Sequence, residues 1–392
     1  MRILLVNTLY SPNTVGGAER SIQFLSEALV RSGHEVTIVC TTPGGEVNFN
    51  VVNGVRVYYI GLKNIYWPYG TNERKYLKAL WHLLDTYNPF MGTIFGRILD
   101  IENPLLVHTN NLSGFSISLW NQVKDRNLPL LHTLRDYYLL CPKSTMFRRG
   151  GNCQSQCPEC RVLSYPRKAK SHAVDMVVGI SKSILSKHLT LGYFNRDSKR
   201  SVIYNPYVIN EGLNKAVSRE NHDKFRVGYL GRLHPSKGIE LLLDQLPHAS
   251  ELWVGGRGSY EYEARLRRKC DGKNIVFCGY VSPSKFLPNI DALVVPSLWN
   301  DPHNRSVIEA YAYGIPVIGS CMGGIPEIVV DGQTGFLFDP YQEGSLKKAL
   351  YRFLDSPDLS VKMKGACLKK AKEFSPTIVA DRYLEAYKVI AQ

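Results

Sequence analysis

Short apolar runs of strand length alternate with helical-period segments along nearly the whole chain, and the alternation is played through twice. Such a rhythm calls for parallel sheets, because each strand must be followed by a crossover element that covers a sheet face. In the first half, residues 3–6, 36–40, 55–60, 105–108, 130–134 and 176–180 read as strands. A helix carrying Ile22, Leu25 and Leu29 on one face is stopped by Gly33, and Ser181 reads as a helix N-cap. In the second half, residues 227–230, 252–254, 275–277 and 292–296 read as strands, with helices over 239–246 and 260–270. A chain of 392 residues exceeds the ~250–300 residues that a single core sustains, so each half is expected to be a domain. The predicted fold class is α/β: two doubly wound Rossmann-like domains facing a central cleft, with strand C-terminal ends turned towards it. The boundaries fall at 1–205, a polar linker at 206–224, a second domain at 225–375 and a last helix at 376–392 that returns to the first domain.

The formal net charge of +14 points to an anionic partner. Part of it is concentrated: seven cations (Lys143, Arg148, Arg149, Arg161, Arg167, Lys168 and Lys170) face only Glu159 within one segment. No signature of a nucleic-acid reader accompanies them, so a lipid surface or lipid phosphate is favoured and nucleic acid is not. Residues 71–99 place Leu77, Leu80, Trp81 and Leu84 on one helical face and Lys75, Lys78 and His82 on another. That pattern suits a helix lying on a membrane, and equally a surface helix packed on the core. No apolar run approaches the ~18 residues of a spanning helix, and the opening segment reads as a buried strand without a cleavage site. The expectation is a cytoplasmic protein, peripheral on the inner face of the cell membrane.

The densest chemistry lies in the second half. Gly231-Arg232-Leu233, continued by Lys237-Gly238, joins a strand to a helix. An Arg and a Lys beside helix N-terminal amides suit a diphosphate. Further on, a loop delivers Asp301, and Glu309 follows eight positions later on a helix. Carboxylates there can accept hydrogen bonds from the vicinal diols of a sugar and a ribose. The competing role for Glu309 is an ion pair on the helix surface. Gly323-Gly324, followed by Pro326-Glu327, makes a backbone-lined turn able to approach a ligand closely.

Taken in order, these pieces resemble glycosyltransferase family 4, with its GT-B fold, over nearly the whole chain. The first half contributes Gly16-Gly17-Ala18-Glu19-Arg20 and Ser32-Gly33-His34-Glu35-Val36. The second contributes the Gly-Arg-Leu…Ser-Lys-Gly loop, Glu309-Ala310 and Gly323-Gly324-Ile325-Pro326-Glu327. The resemblance implies that Glu309 holds the ribose of a UDP or GDP sugar, Asp301 the transferred sugar, and Arg232 with Lys237 the diphosphate. Gly16 and Gly17 would present backbone amides to the donor, while Gly256, Tyr280, Val281, Gly323 and Gly324 complete the donor side, with Tyr280 near the base. It also implies retention of anomeric configuration by same-face attack, with a donor phosphate oxygen taking the acceptor proton and no protein nucleophile. No Asp-x-Asp motif occurs, so no metal cofactor is expected for catalysis.

Two departures from the family pattern stand out. Asp301 replaces a glutamate, and Arg135, ahead of Asp136, stands where a donor-contacting histidine is usual. Arg135 points either to a different sugar or to an electrostatic role, and a purely structural Arg135–Asp136 arrangement is the alternative. The acceptor expected from the charge and the amphipathic helix is a glycan on polyprenyl diphosphate, in cell-surface polysaccharide assembly. Competing functions are a sugar-nucleotide 2-epimerase, which leaves the basic insertion unexplained, and a non-catalytic nucleotide-sugar-binding protein, which the two departures would suit. Finally, Cys141, Cys153, Cys157 and Cys160 cluster within an insertion at 141–170. Four thiols so spaced suit either a closed structural zinc site or free, redox-sensitive cysteines.

Overall fold

The computed structural model describes residues 1–14, 16–69, 74–209, 224–270, 274–356 and 358–391, with the side chain of Lys75 also outside the description. Most of the linker expected at 206–224 therefore lies outside the described residues. The chain divides into two units: residues 1–146, 153–206 and 376–392 form one, and residues 147–152 and 207–375 the other. The six residues 147–152 thus depart from the expectation that the whole insertion at 141–170 belongs with the first domain.

The first unit begins with β1 (Arg2–Val6), α1 (Gly17–Arg31) and β2 (Glu35–Thr42), followed by β3 (Asn48–Val52) and β4 (Val55–Gly61). Helices α2 (Lys75–Thr86) and α3 (Pro89–Glu102) lead to β5 (Leu106–Thr109), α4 (Ser118–Lys124) and β6 (Leu130–Leu134). The short hairpin β7 (Phe147–Arg148) and β8 (Gly151–Asn152) precedes α5 (Pro158–Ser171), β9 (Met176–Gly179), α6 (Lys182–Thr190) and β10 (Lys199–Val202). The sheet runs β10-β9-β6-β5-β1-β2-β4-β3, parallel except at the exposed edge pair β3–β4. Strand order reverses between β1 and β5, so the C-terminal ends of these strands flank a natural crevice.

The second unit contains β11 (Phe225–Leu230), α7 (Ile239–Gln245), β12 (Ser250–Gly255), α8 (Tyr260–Lys269) and β13 (Ile275–Gly279). It continues through α9 (Pro283–Phe286), β14 (Ala292–Val295), α10 (Arg305–Ala312), β15 (Val317–Ser320), α11 (Ile325–Ile328) and β16 (Gly335–Phe338). Helices α12 (Ser345–Leu354) and α13 (Leu359–Lys372) close it. All six strands are parallel in the order β13-β12-β11-β14-β15-β16, with the reversal between β11 and β14. Near-continuous burial of β14 and β15 follows from cover on both faces.

The last helix, α14 (Pro376–Ile390), belongs to the first unit. Its Val379, Ala380, Tyr383 and Tyr387 join a core with Leu25, Leu29 and Leu131. Its tyrosines also enter a buried polar network: Tyr387 meets His108 Nδ1 at 2.7 Å, His108 Nε2 meets Thr133 at 2.8 Å, and Thr133 meets Tyr383 at 3.1 Å.

The segment 71–99 differs from its sequence reading. It is broken at Tyr87–Asn88, where Asn88 caps α3 by accepting from Met91 N and Pro89 takes the first helical position. Within α2 the buried side is defined by Trp81, at 3% exposure, and Asp85, while Leu80 and Leu83 are 50% and 61% exposed. His82 is not on a solvated cationic face; it packs edge-on against Trp81, and burial lowers its pKa to about 4.

Asp85 explains that inward turn. It is wholly buried opposite the equally buried Arg167 of α5, with Oδ2 3.2 Å from Nη2. Gly114 N donates to Asp85 Oδ1 at 2.5 Å, Arg167 Nη1 donates to Tyr138 O at 2.7 Å, and the guanidinium lies 3.9 Å over the Tyr138 ring. Removing one partner leaves an uncompensated buried charge, at a cost of ~3–5 kcal/mol. Arg167→Met should therefore lower the melting transition of the first unit markedly, whereas Asp85→Leu combined with Arg167→Met should recover much of the loss; differential scanning calorimetry of the three proteins checks this.

Candidate functional site

In the second unit the site grows from the reversal point between β11 and β14. The chain leaving β11 passes through Gly231 and the exposed Arg232 into a 3-10 turn, Pro235–Lys237, in which His234 Nδ1 accepts from Ser236 N at 3.2 Å. Leaving β14, it forms the loop 296–304, whose Leu298 and Trp299 amides both donate to Ser236 O, at 2.9 and 3.1 Å. The two loops are thereby joined side by side, and they bring Lys237 to Asp301.

Lys237 Nζ stands 2.6 Å from Asp301 Oδ2 and 5.0 Å from the centre of the Trp299 ring. Asn304 Nδ2 adds a second donor to Oδ2 at 3.0 Å, and Asp301 is 7% exposed. Glu309, on α10, accepts from Arg305 Nε at 2.8 Å. The helix-surface ion pair that competes with a binding role is thus present, one turn apart on the same face. Ser306 Oγ donates to Leu230 O at 2.9 Å and fixes the start of α10 against the end of β11. Two carboxylates and two cations are therefore gathered in this unit as preformed pairs rather than as separate charges.

The glycines are structural in a specific sense. Gly323 has φ +58°, and a Cβ there would lie 2.3 Å from Asp301 O. Gly324 N donates to that same oxygen at 2.8 Å. The close approach at Gly323-Gly324 is thus to the Asp301 loop itself. Gly256 has φ +144° and its Cβ would fall 1.8 Å from Gly231 O, so this residue lets β12 end against the Arg232 loop. Tyr280 is 83% exposed beside the partly buried Val281, beyond the C-terminal end of β13.

In the first unit, Gly16 and Gly17 open α1, and Gly16 N donates to Glu19 Oε2 at 2.9 Å, so one of the expected ligand-facing amides is already bonded. Arg135 follows β6 and is almost fully buried. Its Nε donates to Asn110 Oδ1 at 2.8 Å and its Nη1 to Asn205 Oδ1, while Nη2 has no hydrogen-bond partner. Arg135 is therefore anchored by amides at the ends of β5 and β10, rather than by its neighbour Asp136. Burial lowers the Arg135 pKa, with Tyr383, Tyr387, Glu19 and Asp136 acting in the other direction. Asp136 Oδ1 accepts from Tyr138 N at 2.7 Å, and burial raises its carboxyl to about 6, with the Tyr138 amide, Arg167 and Arg135 opposing.

Sequence reasoning missed Asn110, Asn205, Asn304 and Arg305. Asn304 carried a legible signal as the N-cap of α10, accepting from Ser306 N at 3.1 Å, and Arg305–Glu309 is an i,i+4 pair. Asn110 and Asn205 follow strands with no distinguishing pattern.

Cys160 lies within hydrogen-bonding reach of Cys157 and Cys141. Cys153 is instead placed by its backbone, which bonds Met146 O at 2.7 Å, and its charge is felt by Lys187. Among the described residues, no group of three or more His, Cys, Asp or Glu side chains is arranged to hold a metal ion, and none of the nine cysteines is in a disulfide.

Two doubly wound sheets, with paired acids and cations at the reversal point of the second, are the framework of a nucleotide-binding α/β protein. Residues 15–210 match the family model for Glycosyltransferase Family 4, and residues 224–356 match that for Glycosyl transferases group 1. The chain belongs to glycosyltransferase family 4, and its fold is GT-B. A 42.6 kDa protein of the Klebsiella pneumoniae cps region, itself uncharacterized, is 32% identical over 99% of this chain and 100% of its own. Sucrose-phosphate synthase from Thermosynechococcus elongatus superposes with a TM-score of 0.77 at 22% identity, over 99% of this chain and 98% of that one. Anabaena HepE in complex with UDP-glucose gives 0.70 at 17% identity, over 99% of each chain. At these identities the two structures speak for the fold alone.

The raised carboxyl of Asp136 has a signed consequence. Its folded pKa of about 6 lies above the ordinary 3.8, so its stabilising contribution is complete below pH ~4 and is lost as pH rises through about 6. Asp136→Asn keeps the acceptor for Tyr138 N but carries no charge. Its stability relative to the wild type should therefore rise by roughly 1–3 kcal/mol between pH 4 and pH 7, read from denaturant midpoints.

Proposed function

We propose that this glycosyltransferase moves a hexose-type sugar, with retention, from a UDP or GDP sugar to a glycan acceptor on polyprenyl diphosphate. The observation that carries the donor part is the gathering of Arg232, Lys237, Asp301 and Glu309 around the β11–β14 reversal. In this reading Arg232 and Lys237 stabilise the departing diphosphate electrostatically, often the largest catalytic term. Lys237 then exchanges part of its pairing with Asp301 for phosphate oxygen. Glu309 accepts from the ribose diol and Asp301 from the sugar, and a donor phosphate oxygen takes the acceptor proton. Retention, metal independence and the hexosyl donor follow the family resemblance; HepE, the Anabaena relative in fold, is known with UDP-glucose.

Support for a cell-surface polysaccharide comes from the Klebsiella relative, which is encoded in a cps region. Support for a lipid-linked acceptor comes from the surface of the first unit. Helix α2 exposes Tyr76, Leu80 and Leu83, and α5 exposes Val162 and Tyr165. The two helices are bonded through Thr86 Oγ1 and Leu163 O at 3.4 Å, and exposed Lys78 and Arg161 accompany them. Apolar side chains with cations beside them suit an anionic bilayer surface. Among the described residues, no helix is long and apolar enough to cross a membrane. Peripheral attachment to the inner membrane face is the reading these features support.

Two experiments test these parts separately. In a thermal-shift screen with UDP, GDP and their glucose and mannose conjugates, one base should stabilise the protein, by ~2.7 kcal/mol at about a hundredfold excess over Kd. Glu309→Ala should abolish the shift; a wild-type protein unmoved by all of them would sink the donor assignment. In flotation with phosphatidylglycerol-containing liposomes, the wild type should float, and the variant combining Lys78→Glu, Leu80→Ser and Leu83→Ser should stay at the bottom. Equal flotation of both would remove α2 from the proposed contact.

A further inference from the structure

We infer that Asn152 is a positioning residue for Asp301: its side-chain amide clamps the loop that carries this carboxylate. The inference rests on the donor reading above and adds to it a residue from the cationic insertion, which that reading leaves without a task. Asn152 Nδ2 donates to Leu298 O at 2.7 Å, and Asn152 Oδ1 accepts from Asn300 N at 2.8 Å. Both halves of one amide are thus spent on the backbone of one loop, in the manner of a neighbouring strand. The loop needs such a partner because it follows β14 as irregular chain, and its groups cannot find one another in a ladder.

Within the loop, Asp301 N donates to Trp299 O at 2.7 Å and Ser297 Oγ donates to the same oxygen at 2.9 Å, and other elements add further bonds. Leu298 N and Trp299 N are held by Ser236 O, Asp301 O accepts from Gly324 N, and Tyr341 OH reaches Leu298 O at 3.4 Å. Asn152 bridges Leu298 and Asn300, the second of which directly precedes Asp301. Its own orientation is fixed by β7–β8 pairing, in which Phe147 faces Asn152 and Arg148 faces Gly151, and by the bond from Cys153 N to Met146 O at 2.7 Å. Hairpin, amide, loop and carboxylate form a continuous chain of contacts. Glu309 stands on α10 and Arg232 follows β11, whereas Lys237 is tied to the same loop through Ser236 O and through Asp301 itself.

The consequence is a split between the two ends of the donor. Loosening residues 298–300 should weaken contacts to the sugar through Asp301 more than contacts to the nucleoside diphosphate, which Arg232 and Glu309 share with Lys237. Calorimetric titration of the wild type, Asn152→Ala and Asn152→Asp with UDP, UDP-glucose, GDP and GDP-mannose tests this. For the base that binds, Asn152→Ala should leave the Kd of the free diphosphate within about twofold and raise that of its sugar conjugate about fivefold. Asn152→Asp, which keeps the acceptor for Asn300 N but loses the donor to Leu298 O, should fall between wild type and Asn152→Ala. Unchanged affinities in Asn152→Ala, or equal weakening of diphosphate and conjugate, would overturn the positioning role while leaving the donor reading intact. A wild-type protein that binds none of the four probes would overturn the donor reading and this inference with it.

Discussion

A parallel strand cannot be joined to its neighbour by a tight turn; the chain must leave the sheet, cross a face and re-enter at the same end. Both sheets live under this constraint, relaxed only at the edge pair β3–β4. Its result is that the segments leaving successive strands emerge along one rim of each sheet. Asn110 leaves β5, Arg135 leaves β6, Asn205 follows β10, Arg232 leaves β11 and the Asp301 loop leaves β14. The residues that matter for chemistry are far apart in sequence because the topology, rather than local chain proximity, collects them. The reversal of strand order then opens the rim at one place in each unit.

What is collected there is charge held in check. Lys237 is bound to Asp301 and Arg305 to Glu309, both with the acids nearly buried. Such pairing satisfies groups whose burial would otherwise be costly, and it fixes them in place before any ligand arrives. In the proposed reading a donor competes for Lys237, so part of its binding energy goes into exchanging one anion for another. Arg135 is arranged differently. Two neutral amides fix its position without neutralising it, which leaves a buried cation balanced only at longer range by Glu19 and Asp136.

Strands with strong apolar runs, such as those at β1, β2, β6 and β14, were legible because burial on both faces leaves an unbroken hydrophobic signature. Edge strands escaped for the opposite reason. β3 is almost wholly exposed, and β10 begins Lys199-Arg200, so neither carries a burial pattern to read. In α2 the expected apolar face holds at the buried Trp81 and the half-buried Leu77 and Leu84 and fails at the exposed Leu80, while the burial of Asp85 opposite Arg167 carries no sequence signal. At the candidate site, residue types and spacing announced Arg232, Lys237, Asp301 and Glu309. The i,i+4 spacing offered Arg305 as a partner for Glu309, but the pairing of Lys237 with Asp301 depends on loop conformation, and the Ser236 carbonyl that joins the two loops is a backbone group.

The chain enters the second unit at residue 147, leaves it after 152, enters again at 207 and leaves finally after 375. Neither unit is a contiguous stretch of sequence. A gene fragment covering 207–375 would encode the six-stranded sheet without the hairpin that belongs to it, and a fragment ending at 206 would omit the helix that completes the first core. Exchange of donor halves between relatives by a single recombination event would therefore separate residues that are physically one unit. Inheritance of the two units is coupled by the path of the chain, whatever the sugar each lineage comes to use.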